Sequence, residues 1–187
     1  SGYTLGGADA GKFSLFAGTG TAAANITEKP VNLAASRVYD ASANFVSGAF
    51  TATITGTVGG ETLTIASGTG TVPLTGFAAL TQTLTLGTLT LGSGTGLASN
   101  YTLVGGTNTG TIAAKPVNLA GTRVYDASGN FTFGAFTVTA ITGTVGTETL
   151  LIASGTGAVP SVNVALNQVL TAGTLALGSG TGLASNY

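Results

Sequence analysis

Thr83 to Gly92 reads TLTLGTLTLG, and its pattern decides the fold class. Threonine and leucine alternate with a period of two, the spacing that sends successive side chains to opposite faces of a strand. The phase slips once: Leu84 and Leu86 hold even positions, Leu89 and Leu91 odd ones, with Gly87 between them. A glycine bulge or tight bend is predicted at Gly87, where the missing Cβ lets the chain turn. Leu170, Gly173, Leu175 and Leu177 repeat the arrangement farther along. No segment sustains an apolar period of 3.6 residues, and glycine and threonine are too frequent for stable helices. The expectation is an all-β chain with essentially no α-helix.

The recurrence extends in both directions. KPVNLA occupies Lys29 to Ala34 and again Lys115 to Ala120, an offset of 115 − 29 = 86 residues. RVYDAS follows at Arg37 and Arg123, and ITGTVG at Ile54 and Ile141, where one inserted residue lengthens the offset. GSGTGLASNY closes both units, at Tyr101 and Tyr187. Three segments result: residues 1–28 as the tail of a preceding repeat or a donor segment, 29–114 as a first repeat, and 115–187 as a second repeat lacking its final strand. A period this long suits a small Ig-like β-sandwich, whereas β-helix coils repeat every ~20 to 30 residues. The expected architecture is therefore tandem β-sandwich repeats. The junction GTIAAKPVNLA, Gly110 to Ala120, carries Pro116 in place of a Gly/Ser linker, which predicts repeats joined by continuous strand segments into a rod or filament. The opening Ser1-Gly2-Tyr3-Thr4 has neither an initiating Met nor a signal-peptide pattern, so the array is expected to continue beyond the chain.

Composition narrows the partners. Only 6% of the residues are charged and the net charge is −1, leaving no basic face for nucleic acid. No run approaches the ~18 apolar residues of a spanning helix, and aromatic girdles at strand ends are missing, so no membrane insertion is expected. Sheet edges are normally blunted by charge, and this chain has little of it. Its edges are expected to be paired or covered by adjacent repeats or copies of itself, by strand addition where the second repeat lacks a strand.

Catalysis has little to work with. The 187 residues include no histidine and no cysteine, which removes the commonest general base, the thiol nucleophile and the usual transition-metal ligands. Asp40 and Glu61 recur as Asp126 and Glu148, a pairing that raises a glycosidase-like reading. The structural reading is that Asp40 anchors an Asx turn and Glu61 is an exposed turn residue. Lys29 and Arg37, recurring as Lys115 and Arg123, read as partners in local ion pairs; Lys29 or Lys115 beside asparagine also suggests an isopeptide bond. Tyr39, Tyr125, Phe45, Phe131, Phe50 and Phe136 read as core positions, with a sugar-stacking platform as the competing reading. Acidic residues never cluster as calcium requires. No catalytic, cofactor-binding or metal-ligating residue is assigned, and no enzymatic activity or cofactor is expected.

Arg37-Val38-Tyr39-Asp40-Ala41-Ser42 and the N-terminal Leu5-Gly6-Gly7-Ala8-Asp9-Ala10-Gly11-Lys12-Phe13-Ser14-Leu15 resemble the YDG-type repeat of large bacterial surface adhesins of the filamentous haemagglutinin and two-partner-secretion type. Ala41 and Ala127 stand where that repeat has glycine. The resemblance implies extracellular display on a bacterial cell surface, with repeats as stalk or cohesion elements of an adhesin or biofilm matrix, and carries over no catalytic residue. The expected function is a secreted structural or adhesive repeat acting through length, stiffness and self-association; the alternative is a carbohydrate-binding module for surface glycans.

Overall fold

The structure, a computed structural model, describes residues 4–12, 24–73 and 80–187. The N-terminal matches at Phe13 to Leu15, the opening Ser1 to Tyr3 and much of the expected 1–28 segment lie outside the described residues.

In the first repeat the strands are β1 (Lys29–Pro30), β2 (Asn32–Val38), β3 (Asn44–Val46), β4 (Thr51–Thr55), β5 (Leu63–Ser67), β6 (Thr69–Thr71), β7 (Thr81–Thr83), β8 (Thr90–Ser93), β9 (Tyr101–Thr102) and β10 (Asn108–Ala113). The second has β11 (Asn118–Thr122), β12 (Asn130–Thr132), β13 (Thr137–Thr142), β14 (Leu150–Ser154), β15 (Thr156–Ala158) and β16 (Ala176–Ser179). The described helical residues form three single-turn 3-10 segments, so the all-β expectation holds. Among the described residues no helix is long and apolar enough to cross a membrane.

One four-stranded sheet, ordered β4-β2-β10-β7, centres the first repeat. Its keystone is β10, parallel to β2 over Asn108↔Leu33 to Ala113↔Val38 and antiparallel to β7. Strict alternation along β2 buries Leu33, Ala35 and Arg37 and exposes the residues between them. Ile112 on β10 is fully buried with Leu33, Phe45 and Val31 in one core cluster. Gly110, beside it, has no room for a side chain, since a Cβ there would lie 3.0 Å from the Phe45 ring.

The predicted bend at Gly87 is a tight turn at φ +55°, and Gly173 repeats it at +56°. A Cβ on Gly87 would stand 2.3 Å from the Thr69 carbonyl oxygen, so glycine is required there by contact as well as by conformation. The inserted residue of the second repeat is absorbed in β13: Ala120 pairs with Ala140 but Gly121 with Val138, leaving Thr139 in a bulge. The predicted continuous strand across the junction is interrupted, because β10 ends at Ala113 and β11 begins at Asn118, with Pro116 between them.

In the second repeat residues 167–169, which correspond to β7, form no strand. β11 is shorter than β2 and pairs only with β13. Tyr125 corrects the expectation of a core position: it is 59% exposed, where its counterpart Tyr39 is 5% exposed.

Candidate functional site

The turn after β2 is built by Arg37 and Asp40. The Asp40 carboxylate accepts from the Ser42 backbone N–H at 2.9 Å, the predicted Asx turn, and also pairs with the buried Arg37 guanidinium. Arg37 donates a further bond to the Ser42 carbonyl and lies 5.1 Å from the centroid of the Phe45 ring. Asp126, Ser128, Arg123 and Phe131 repeat the Asx turn, the ion pair and the cation–ring contact in the second repeat, with Arg123 donating to the Asn130 carbonyl. Ala41 and Ala127, the positions where the resembling repeats carry glycine, stand at φ +64° and +61°. This left-handed conformation is one that alanine holds only under strain.

Glu61 and Glu148 have a different role from the exposed turn expected of them. Each is half-buried. Glu61 accepts from the Tyr101 hydroxyl, whose oxygen in turn accepts from the Val58 N–H at 3.1 Å. Glu148 accepts from the Tyr187 hydroxyl, which accepts from the Val145 N–H at 2.9 Å. In the second repeat a further group joins. The Tyr39 hydroxyl, from the first repeat, donates to the other Glu148 oxygen, Oε1, at 2.8 Å. The Tyr39 and Tyr187 rings meet edge to face with centroids 5.5 Å apart. Val145 and Tyr187 pack against the first repeat's core, and Asn186 is almost wholly buried. These contacts lock the two repeats together.

The lock perturbs its tyrosines. Burial pushes the Tyr39 and Tyr187 hydroxyls up, and hydrogen bonding to the Glu148 carboxylate adds to the shift, because a tyrosinate there would face an anion. For Tyr101 the hydrogen bond to Glu61 is the leading cause of a shift in the same direction.

The remaining sequence candidates are dispersed. Asp40 is engaged by Arg37 and Glu61 by Tyr101, so the two carboxylates of the glycosidase-like reading have separate partners. Lys29 is exposed and Lys115 half-buried. The ion pairs found are Asp9–Lys12, Arg37–Asp40 and Arg123–Asp126, so the expected local pairing holds for the arginines. Phe45 is fully buried and Phe50, Phe131 and Phe136 half-buried, the phenylalanines pairing edge to face within each repeat. Among the described residues no three His, Cys, Asp or Glu side chains gather where they could hold a metal ion. Sequence reasoning passed over the tyrosine–glutamate lock. Its signal was the recurrence of Tyr101 with Glu61 as Tyr187 with Glu148, read only as a marker of the repeat.

No curated protein and no solved structure matches the chain. The likeness carried by Arg37 to Ser42 rests on a family domain that starts ahead of Lys29 and ends within β10: a YDG domain is found at residues 21–111.

Proposed function

We propose that the chain is a structural and adhesive repeat segment of an extracellular bacterial surface adhesin or matrix filament, acting through stiffness, length and self-association. The lock of Tyr39, Glu148 and Tyr187 across the repeat boundary carries this reading. Beads on a flexible tether have no use for a buried contact between neighbours, whereas a load-bearing rod needs one at every step. The parallel pairing of first and last long strands, β2 with β10, suits tandem Ig-like sandwiches in which each repeat is closed by the strand that leads into the next. Low charge and apolar exposure along the repeats favour association over isolation. Small-angle scattering on the chain tests this. A stiff two-repeat particle whose interrepeat distance spreads on Tyr39→Ala supports it, and freely jointed repeats before the substitution would defeat it.

A carbohydrate-binding module is the second reading, favoured by the exposure of Tyr125 and Phe133 in the second repeat. Aromatic faces in that setting stack on sugar rings. Saturable glycan binding lost in Tyr125→Ala and Phe133→Ala would establish it; unchanged binding would dismiss the platform.

A further inference from the structure

We propose that the first repeat is a mechanical clamp, in which the parallel pairing of β2 with β10 bears the tension carried along the chain. The proposal rests on the reading of the chain as a load-bearing repeat and assigns the load to one ladder.

The path of the force follows from the topology. The chain enters the first repeat at Lys29, where β1 begins, and leaves it at Ala113, where β10 ends and the second repeat follows through Lys115. The long strand nearest the entry is β2 and the one at the exit is β10. They lie side by side and parallel over six residue pairs, Asn108↔Leu33 to Ala113↔Val38. Tension pulls β2 from its N-terminal end and β10 from its C-terminal end. In a parallel pair these are opposite ends of the ladder, so the strands shear past one another and the evenly spaced rungs are loaded together. In an antiparallel pair the same two points would fall at one end, and the rungs would open one after another.

The ladder is closed at both ends. At the entry the Leu33 N–H donates to the Thr107 carbonyl at 3.2 Å, and the Asn32 side-chain oxygen accepts from the Thr107 N–H at 2.7 Å. At the exit the Tyr39 N–H donates to the Ala113 carbonyl at 2.9 Å. A second parallel contact precedes the first along the chain. β1 pairs with β9 through Lys29↔Tyr101 and Pro30↔Thr102, and the Val31 N–H donates to the Thr102 carbonyl at 2.9 Å. The entering segment is therefore held in shear twice, against β9 and then against β10.

Packing resists the same displacement. Val31, Leu33, Phe45 and Ile112 are at most 1% exposed, so sliding β2 along β10 draws Val31 and Leu33 out of a closed core. A slide of one residue would turn Leu33 and Ala35 outward, and only a slide of two, ~6.6 Å along the strand, restores the alternation. At the entry the two backbones touch: a Cβ on Gly106 would stand 1.9 Å from the Val31 carbonyl oxygen. The outer strands of the sheet, β4 and β7, are antiparallel to their neighbours and adjoin neither the entry nor the exit, so the load bypasses them.

Pulling geometry tests the clamp, because the native chain has no cysteine and the attachment points can be chosen. Glu28, Val38 and Ala114 are exposed. In a single-molecule force experiment the whole chain carrying Glu28→Cys and Ala114→Cys is pulled in shear, whereas the chain carrying Val38→Cys and Ala114→Cys is pulled from one end of the ladder. Both pairs of points lie outside the second repeat. Forced unfolding reads the height of the unfolding barrier, and the shear force should be several times the peeling force. The shear rupture should come as one event that frees the 114 − 28 = 86 residues between the attachment points, about 300 Å of extended chain. Asn32→Ala removes the side-chain rung at the entry; it should lower the shear force and leave the peeling force, which is set at the opposite end, unchanged. Equal forces in the two geometries would overturn the clamp. Rupture in several small steps of similar force would do the same, since no single ladder would then hold the load. Freely jointed repeats in scattering would defeat the rod reading and leave both forces as they are, so the two readings fail separately.

Discussion

The two repeats carry nearly the same sequence and reach different structures. In the first, β10 lies between β2 and β7, Ile112 seals the core, and Tyr39 is buried against the neighbouring repeat. In the second, β11 is described paired with β13 in a two-stranded sheet, the β7 counterpart is not a strand, and Tyr125 is open to solvent. The turn chemistry survives the loss: Asp126 with Ser128, Arg123 over Phe131 and the Gly173 turn match their counterparts closely. What a residue does with its sequence neighbours is thus the same in both repeats. What it does across the sheet is not.

The contrast can be broken residue by residue. Phe45→Ala is expected to cost about 3–5 kcal/mol in the first repeat, as for a large aromatic removed from a closed core. Phe131→Ala, which removes a ring that is only half-buried, should cost distinctly less, a difference that site-resolved hydrogen exchange in denaturant would register. Equal losses would mean that the second repeat is as tightly closed as the first. Ile112→Ala should follow at about 2–5 kcal/mol, with Ile26→Ala leaving the melting of the isolated chain unchanged.

Smaller effects sharpen the picture at the junction. Tyr39→Phe removes one hydrogen bond to Glu148 and should lower stability by about 1 kcal/mol, or somewhat more because the acceptor is a carboxylate. Tyr125→Phe should have no effect on the dilute monomer. The lock also has a pH dependence. The folded-state pKa values of Tyr39 and Tyr187 are raised above the unfolded value of about 10. Their stabilisation is therefore complete below pH ~10 and is lost as pH rises through the folded values, since the unfolded chain then releases protons that the folded one retains. Alkaline melting curves should fall less steeply for Tyr39→Phe than for the native chain. The smallest change should be the same in both repeats: Ala41→Gly and Ala127→Gly relieve a left-handed alanine and should each stabilise by at most about 1 kcal/mol, because the flexibility of glycine in the unfolded state offsets part of the gain.

Much of this was legible in the residues. Alternating Thr and Leu announced strands, the slipped phase located the Gly87 turn, and the Asx turn at Asp40 followed from its place after Tyr39. The role of Glu61 and Glu148 was not legible, because each meets a tyrosine about forty positions away in sequence and Glu148 also meets Tyr39 across the boundary. Nor could the exposure of Tyr125 be read from a string shared with the buried Tyr39.

The sequence by itself determined the local rules: strand period, turn positions, the two-fold repetition and the near absence of charge. These depend on backbone sterics and on interactions within a few residues, and so they come out alike in both copies. Only the tertiary structure decided which tyrosine is buried and where the repeats lock. A parallel strand such as β10 is held by β2, 108 − 33 = 75 positions earlier in the chain, and a pairing over that distance lies beyond any rule of neighbouring residues.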